Sequence, residues 1–246
     1  MKIQSNIWHL ELLRENLKQH AVMFFSTEYA MESGIEFQSN NILHYSESIK
    51  FNSFQSPKRK GDFLLGRYCA KMALVALEKH LTFQDIHIDV GVFNQPIIKI
   101  PKSHYQVSIS HTQSSAIALV FPEEQPMGID LEILSVESKA VLINQFTNHE
   151  IALVRMHRDY IEDIVTLLWT AKESLSKILK TGLTLALNLL EVKTFEKKED
   201  YYIVTFTYFN QYKSILIKHN DVCLGISLPK HTQIFLTPNI QTSSYE

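Results

Sequence analysis

The spacing of hydrophobic and polar residues changes several times along this chain, and each change predicts a different element. Between residues 61 and 80, apolar side chains recur at intervals of three and four, which is typical of an amphipathic helix. Short runs rich in branched and aromatic side chains follow and predict strands over residues 86–93, 97–100, 105–110 and 116–121. The first 55 residues show no dominant period, so the sequence assigns no elements to them.

The second half begins with a predicted strand from Gly128 to Glu132 and then becomes helical. Helices are predicted over residues 136–146, from Thr147 onwards and over residues 162–179. Thr147 and Glu150 have the spacing of a capping box, which marks the start of the middle helix. Further strand-like runs cover residues 201–209, 214–218 and 222–228.

The polar segment at residues 122–126 is bounded by prolines and separates two halves of similar content. Each half contains a long helix and several strands. This order of elements predicts an α+β chain with two similar subdomains, residues 1–124 and residues 125–246, and a cleft between them.

Composition places the chain among soluble globular proteins. Hydrophobic residues make up 45% of its 246 residues and charged residues 20%, and a net charge of −2 gives no reason to expect a nucleic-acid partner. The two cysteines, Cys69 and Cys223, lie in apolar surroundings, as reduced thiols of a cytosolic protein would. No export signal and no membrane-spanning apolar run is visible, so we expect a cytoplasmic protein that binds no membrane.

Three carboxylates and a lysine are the first candidates for chemistry. Asp130 and Glu132 share one face of their strand, roughly 6–7 Å apart. Trp169, Glu173 and Lys177 are four residues apart on a helix and form one stripe. Two acids on one face repel each other unless a cation neutralises them, and Mg²⁺ binds such carboxylates together with water and phosphate oxygens. The alternative is that the two acids line the solvated face of a strand.

A basic segment at residues 58–60, followed by Gly66 and Arg67, is the second candidate. Cations at the start of a helix add to the dipole that favours anions, and arginine binds phosphate through its planar fork of donors. A solvated basic helix start would have the same sequence, so both interpretations stay open.

The third candidate is the strand that ends in Ser110 and His111. Alternation places Ser108, Ser110 and Thr112 on one side, and a small polar loop follows. A hydrolase with Ser110 as nucleophile is one interpretation, but the G-x-S-x-G turn is absent, and a histidine adjacent in sequence is poorly placed to act as its base.

Six segments in a fixed order give the chain a resemblance to a known family. They are Arg59 with residues 63–67, residues 94–96, residues 108–111, residues 128–132, Phe146 with Glu150, and residues 169–177. The set resembles the 4'-phosphopantetheinyl transferases, in particular the larger surfactin-synthetase-activating and enterobactin-type group. The resemblance implies that family's fold, in which two similar α+β subdomains of one monomer form a pseudo-dimer with the active site at their interface.

The resemblance also implies a reaction and its partners. The 4'-phosphopantetheine arm of coenzyme A would be transferred, with Mg²⁺ or Mn²⁺, to a serine of an apo acyl or peptidyl carrier protein, and adenosine 3',5'-bisphosphate would be released. Asp130, Glu132 and Glu173 would hold the metal. Glu173 would also be the general base, and Lys177 would contact the leaving phosphate.

Coenzyme A itself would be bound by residues of the first half together with Lys177. Ser110 and His111 would contact its phosphates, Arg59 its 3'-phosphate, and Arg67 is a further candidate contact. The chain departs from the family at Gln95, where the usual Gly-Lys-Pro provides a lysine for the 3'-phosphate.

The lost cationic contact leaves two hypotheses open. Lys58, Arg67 or Lys99 could compensate for the missing lysine in an active transferase. Alternatively, the chain could be a non-catalytic regulator of the same fold that binds coenzyme A or a carrier protein.

Overall fold

The computed structural model of the protein describes residues 5–27, 39–157 and 163–237. The strands in these ranges are β1 (Ser5–Arg14), β2 (Leu17–Thr27), β3 (Ile88–Val90), β4 (Pro96–Ile98), β5 (Tyr105–His111), β6 (Ser115–Pro122), β7 (Gly128–Ile133), β8 (Val192–Lys197), β9 (Tyr202–Phe206), β10 (Tyr212–His219), β11 (Val222–Pro229) and β12 (Gln233–Thr237). The helices are α1 (Ser39–Ile42), α2 (Tyr45–Ser53), α3 (Pro57–Leu77), α4 (Val136–Leu142), α5 (Asn148–His157) and α6 (Ile164–Leu179). Short 3₁₀ helices lie at Ile143–Gln145, Gly182–Thr184 and Leu187–Leu190.

The strands form two antiparallel sheets of five strands and a small hairpin. The first sheet has the order β12-β1-β2-β6-β5, and the second has the order β7-β11-β10-β9-β8. The hairpin pairs β3 with β4. The mixture of helices and antiparallel sheets confirms the predicted α+β class.

Three apolar cores stack the elements in the order helix, sheet, sheet, helix. Helix α3 covers the outer face of the first sheet, with Leu65 and Cys69 in its core. The inner faces of the two sheets pack on each other through residues such as Leu119 and Ile129. Helix α6 covers the outer face of the second sheet, with Leu167 among its buried side chains. Burial of apolar surface in these layers is the main term that stabilises the fold.

The two sheets meet along β5 and β7. Serine side chains of β5 hydrogen-bond to the backbone of β7, in place of a ladder of backbone hydrogen bonds. In the described part of the chain these strands belong to different sheets. Ser108 Oγ accepts a hydrogen bond from the Ile129 N–H at 3.0 Å, and Ser110 Oγ accepts one from the Leu131 N–H at 3.2 Å. The hydroxyls thus satisfy backbone donors on the free edge of β7, which would otherwise be buried without partners.

Most of the predicted elements are present, with shifted ends. Helix α3 begins at Pro57 rather than near residue 61, because Ser56 caps it and proline suits its first turn. Thr147 and Glu150 form the predicted capping box, with backbone-to-side-chain distances of 2.9 and 3.2 Å. The start of the last predicted helix, at residue 162, lies outside the described residues. The run at 86–93 contains only three residues of strand because a turn begins at Gly91.

Each half contains the same buried acid–lysine arrangement. Glu47 of the α2 capping box accepts the Ile88 N–H at 3.1 Å and pairs with Lys71 of α3 at 2.6 Å. In the second half, Glu150 of the α5 capping box accepts the N–H of the first residue of β8 at 3.0 Å and pairs with Lys172 of α6 at 2.9 Å. Both lysines are fully buried. The two halves are therefore alike at the level of residues as well as in the order of their elements.

The last described strand does not stay with the second half. Strand β12 pairs with β1 at the edge of the first sheet. The division at residues 1–124 and 125–246 stays a prediction, with this strand crossing it. In the described residues, we find no helix with the length and apolar character needed to cross a membrane. Cys69 and Cys223 are free and buried, as predicted.

Candidate functional site

The Asp130 carboxylate lies on β7 beneath helix α6. Its Oδ1 accepts hydrogen bonds from Ser110 Oγ and Lys177 Nζ, each at 2.8 Å. The Lys177 ammonium also donates to the Ile129 carbonyl at 2.8 Å. The other oxygen, Oδ2, is buried and accepts no hydrogen bond from the described residues. A buried acceptor without a donor is costly, so Oδ2 is suited to a cation.

Glu132 and Glu173 complete an acidic group around Asp130. The Trp169 indole N–H donates to Glu132 Oε1 at 3.1 Å. Burial raises the pKa of both glutamates to about 7, and the charge of Asp130 adds to the rise. Lys177 opposes it in both cases. Strand and helix thus bring together the residues that the two spacings predicted, while their catalytic roles stay predictions.

Small residues allow α6 to come close enough to the second sheet for this arrangement. A Cβ on Gly128 would lie 2.1 Å from the Ser174 carbonyl oxygen, so any side chain would push the helix away. The Ser174 hydroxyl lies 2.8 Å from Ser227 Oγ on β11. On the same sheet, a Cβ on Gly225 would lie 2.7 Å from Thr170 Cγ2. The glycine before Ile129 in the sequence motif therefore has a packing role.

The hydroxyl of Ser110 is engaged within the protein. It donates to Asp130 and accepts from the Leu131 N–H. Both partners differ from the imidazole that a serine nucleophile would need, and Ser110 is only 6% exposed. The hydrolase interpretation therefore gains no support, and the predicted contact of Ser110 with coenzyme A stays a prediction.

His111 lies at the end of β5 against the first turns of α3. A Cβ on Gly66 would be 2.3 Å from His111 Nε2, so glycine makes room for the ring. Burial lowers the pKa of His111, as does the nearby Lys177 charge, while a hydrogen bond to the Asp62 backbone opposes this. The imidazole therefore lies beside α3 and near Lys177, and the phosphate contact that the family resemblance implies stays a prediction.

The predicted basic group gathers around the start of α3 and includes a residue that the sequence analysis missed. The guanidinium of Arg59 lies over the Phe54 ring at 4.7 Å, and that of Arg67 lies over the Phe63 ring at 4.6 Å. Arg67 is buried and pairs with Glu47 at 3.1 Å. Lys50 of α2 lies near both arginines: burial lowers its pKa, and their charges lower it further.

Lys50 had no signal in the sequence because it lies in the unassigned first 55 residues. Only a clear helical period over residues 45–53 would have predicted a helix there that places Lys50 beside α3. Lys50, Arg59 and Arg67 form a group of cations that Glu47 and Asp89 neutralise in part, and such a group favours an anion.

Gln95 lies in the turn of the β3–β4 hairpin, and its side chain forms a hydrogen bond within that turn. Its Oε1 accepts the Phe93 N–H at 3.0 Å, and its amide packs over Gly91. Asn94 has a φ of 64°, a left-handed conformation that asparagine tolerates. Gln95 therefore stabilises the turn, at the position where the resembling family has a lysine.

A cavity of about 400 Å³ lies between this hairpin and the C-terminal end of α6. Its walls include Gln95, Ile98, Ser108, Met127, Lys177 and Lys180. The volume is within the usual range for small-molecule sites, and Lys177 joins the cavity to the acidic group.

The acidic group has the oxygen ligands for a divalent metal ion whose other ligands are water and phosphate oxygens. No cluster of three or more His, Cys, Asp or Glu side chains among the described residues forms a ready metal cage. Mg²⁺ does not need one, since it commonly takes one or two protein carboxylates. The unpartnered Asp130 Oδ2 and the two glutamates, whose burial disfavours their charge, provide the oxygen donors and the reason to bind a cation.

Family models cover most of the chain in two pieces. Residues 53–121 match the model described as 4'-phosphopantetheinyl transferase N-terminal domain, and residues 126–227 match that of the 4'-phosphopantetheinyl transferase superfamily. The boundary between the matches falls in the loop after β6. The second match contains Asp130, Glu132, Glu173 and Lys177.

Curated relatives and solved structures carry related names. The holo-[acyl-carrier-protein] synthase of Staphylococcus carnosus (strain TM300) is 35% identical over 88 residues, which are 34% of this chain and 75% of the relative. That of Staphylococcus aureus (strain JH9) is 36% identical over 88 residues, 34% of this chain and 74% of the relative.

Among solved structures, a holo-(acyl-carrier-protein) synthase from Bacillus anthracis str. Ames in complex with CoA (3',5'-ADP) is 21% identical, with a TM-score of 0.37 over 47% of this chain and 96% of that one. With so low a TM-score, this structure adds nothing to the identification. The two family models, the named relatives and the order of the motifs agree, and they confirm the predicted enzyme class: the chain belongs to the 4'-phosphopantetheinyl transferase superfamily.

Proposed function

We propose that this protein transfers the 4'-phosphopantetheine arm of coenzyme A to a serine hydroxyl of an apo acyl or peptidyl carrier protein. The observation that carries the proposal is the convergence of Asp130, Glu132 and Glu173 with Lys177 beside a cavity of about 400 Å³. All these groups come from one chain, which supports a monomer as the active form. The cytoplasm, where carrier proteins and coenzyme A meet, is the proposed location.

The reaction needs one bond to form and one to break. The serine oxygen attacks the phosphorus that bears the pantetheine arm, and the bond from that phosphorus to the bridging oxygen breaks. Adenosine 3',5'-bisphosphate leaves with the bridging oxygen. Glu173 would take the serine proton as the general base. Lys177 stabilises the negative charge on the leaving phosphate.

Asp130, Glu132 and Glu173 would hold Mg²⁺, with Mn²⁺ as a substitute. When bound, the ion would neutralise charge on the pyrophosphate oxygens. Trp169 fixes one oxygen of Glu132, and Lys177 fixes one oxygen of Asp130. The protein residues therefore orient the acids before the substrate arrives.

Coenzyme A would be held by cations from α2 and α3 and by His111, while the single hydroxyl hydrogen of Ser110 is already donated to Asp130. Lys50, Arg59 and Arg67 form the candidate group for its 3'-phosphate. Lys50 would compensate for the lysine that the family has at the position of Gln95. Of the residues that the sequence analysis named as able to compensate, Lys58, Arg67 and Lys99, this group includes Arg67. Charge-assisted hydrogen bonds to phosphate are among the stronger polar contacts in proteins.

The test is incubation with coenzyme A, Mg²⁺ and a panel of apo carrier proteins, followed by intact mass spectrometry. One carrier should gain the mass of a single phosphopantetheine group. A carrier whose acceptor serine is replaced by alanine is the control and should gain nothing. Coenzyme A binding without mass gain on any carrier, in conditions where a known transferase works, would favour the non-catalytic regulator instead.

A further inference from the structure

Ser110 and Lys177 bind the same oxygen of Asp130 and leave the other one free. Both donors reach Oδ1 at 2.8 Å, while Oδ2 is buried and without a partner among the described residues. The carboxylate has few orientations left, because Ser110 is itself tied to β7 by the Leu131 N–H.

The hydrogen bond that Ser110 accepts from the Leu131 N–H also determines where its own hydroxyl hydrogen points. A hydroxyl has one hydrogen, and that hydrogen is given to Asp130 when the Leu131 N–H occupies a lone pair. The backbone amide thus fixes the direction in which Ser110 donates. The Lys177 ammonium is different, since its three hydrogens and long stem allow it to follow the carboxylate wherever that turns.

From these contacts we infer that Ser110 is a positioning residue for the metal, which rests on the proposed function. It holds Asp130 so that Lys177 neutralises Oδ1 alone and Oδ2 stays available to the cation. Without the Ser110 hydroxyl, the carboxylate is free to turn toward Lys177 and offer it both oxygens. The ammonium then competes with the metal for the same acid.

Ser108 provides a matched control on the same strand. It is 5% exposed, against 6% for Ser110, and its hydroxyl also accepts a backbone N–H of β7, that of Ile129 at 3.0 Å. In the described part of the chain, its hydroxyl forms no hydrogen bond with Asp130. Ser108→Ala therefore removes one hydroxyl between the sheets, as Ser110→Ala does, without touching the carboxylate.

The experiment measures Mn²⁺ binding by calorimetry to the full chain with coenzyme A present and no carrier protein. Ser110→Ala should weaken Mn²⁺ binding by about tenfold, the usual scale for losing a hydrogen bond to a charged group. Ser108→Ala should bind Mn²⁺ several times more tightly than Ser110→Ala does, although Ser108 lines the neighbouring cavity. Urea unfolding of both variants checks that they lose comparable stability.

Equal Mn²⁺ affinity in the two variants would overturn the inference, as would a wild type that binds no Mn²⁺ in the presence of coenzyme A. Failure of the proposed function has a different outcome. In that case no carrier gains mass with the wild type, while the difference in Mn²⁺ affinity between the two serine variants persists.

Discussion

At the scale of single residues, the acidic site consists of groups whose burial is energetically unfavourable when no cation is bound. Asp130 has one buried oxygen that receives no hydrogen bond from the described residues, and Glu132 and Glu173 are partly buried beside it. Lys177 offsets only part of the negative charge. The site is therefore prepared for a cation, and its energetic cost should be measurable in the metal-free protein.

That cost should depend on pH. The folded pKa of Glu132 and Glu173, about 7, lies above the value of 4.5 that applies to the unfolded chain. Below about pH 4.5 both states are protonated and the two acids cost nothing. Between about pH 4.5 and 7 the unfolded chain loses protons that the folded protein keeps, so stability should fall as pH rises.

Thermal unfolding in a metal chelator between pH 5 and pH 7.5 measures this fall. Glu173→Gln should make the dependence shallower, while Glu199→Gln, at an exposed position, should leave it unchanged. Identical slopes for the wild type and Glu173→Gln would contradict the prediction.

Glu173→Gln should also abolish transfer with little effect on coenzyme A binding. The amide cannot take the serine proton, and general base assistance usually contributes about 10²–10⁴-fold. We expect a loss of at least about 100-fold in turnover, measured by the rate of mass gain on a carrier. Coenzyme A affinity from calorimetry is the companion measurement, and a near-full rate would show that Glu173 is not the base.

The grouping of site residues could be predicted from the sequence where a local period fixes the direction of their side chains. The two-residue step on β7 and the four-residue step on α6 were enough to bring Asp130, Glu132, Glu173 and Lys177 together. The contact from Ser110 to Asp130 was not predictable, because it depends on how two separate sheets meet. Lys50 was missed for the related reason that its helix is short and weakly amphipathic.

At the scale of elements, buried ion pairs fix the long helices to the shorter ones beside them. Lys172 and Glu150 are both fully buried, and Glu150 also satisfies two backbone N–H groups. The pair thereby connects α6 with the start of α5 and of β8. The direction of α6 sets the height of Glu173 above β7, so the pair also supports the acidic site.

Lys172→Met should destabilise the protein by about 3 kcal/mol, because it leaves Glu150 buried without its cation. Urea unfolding measures the change. Lys71→Met is the comparison variant in the first half and should cost less through its acid, since Glu47 keeps Arg67 as a second cation at 3.1 Å. A loss below about 1 kcal/mol for Lys172→Met would mean that the backbone donors alone satisfy Glu150.

Elements at the start of the chain were harder to predict than those later on. Strands β1 and β2 form a hairpin whose turn residue Glu15 has a φ of 56°, and glutamate is no sequence signal for such a turn. Both faces of β2 pack against other layers, so polar and apolar residues do not alternate along it. The pairing of β1 with β12 depends on contacts distant in sequence.

At the scale of the whole molecule, the two halves share a core. The layer between the sheets combines Leu12 and Leu119 of the first half with Ile129 and Leu228 of the second. The first sheet also takes its edge strand from the C-terminal part of the chain. The similarity of the halves therefore does not make them independent folding units.

Fragments of residues 1–124 and 125–246 should each fail to unfold cooperatively on their own. Each would expose one face of the central core, and the first would lack β12. Urea unfolding followed by circular dichroism tests this, with the full chain as control. Mixing the two fragments should restore a cooperative transition. A cooperative transition in either isolated fragment would contradict the shared-core explanation.

The paired Glu–Lys arrangement has a consequence for how the two halves would share the proposed reaction. If Lys71 is superposed in sequence on Lys172, Met72 takes the position of Glu173 and Ala76 that of Lys177. The second half therefore carries the acidic and basic side chains proposed for the reaction, while the first half has apolar residues at the equivalent positions. The first half instead provides the cations proposed to bind phosphate, so two similar units would serve different steps of one reaction.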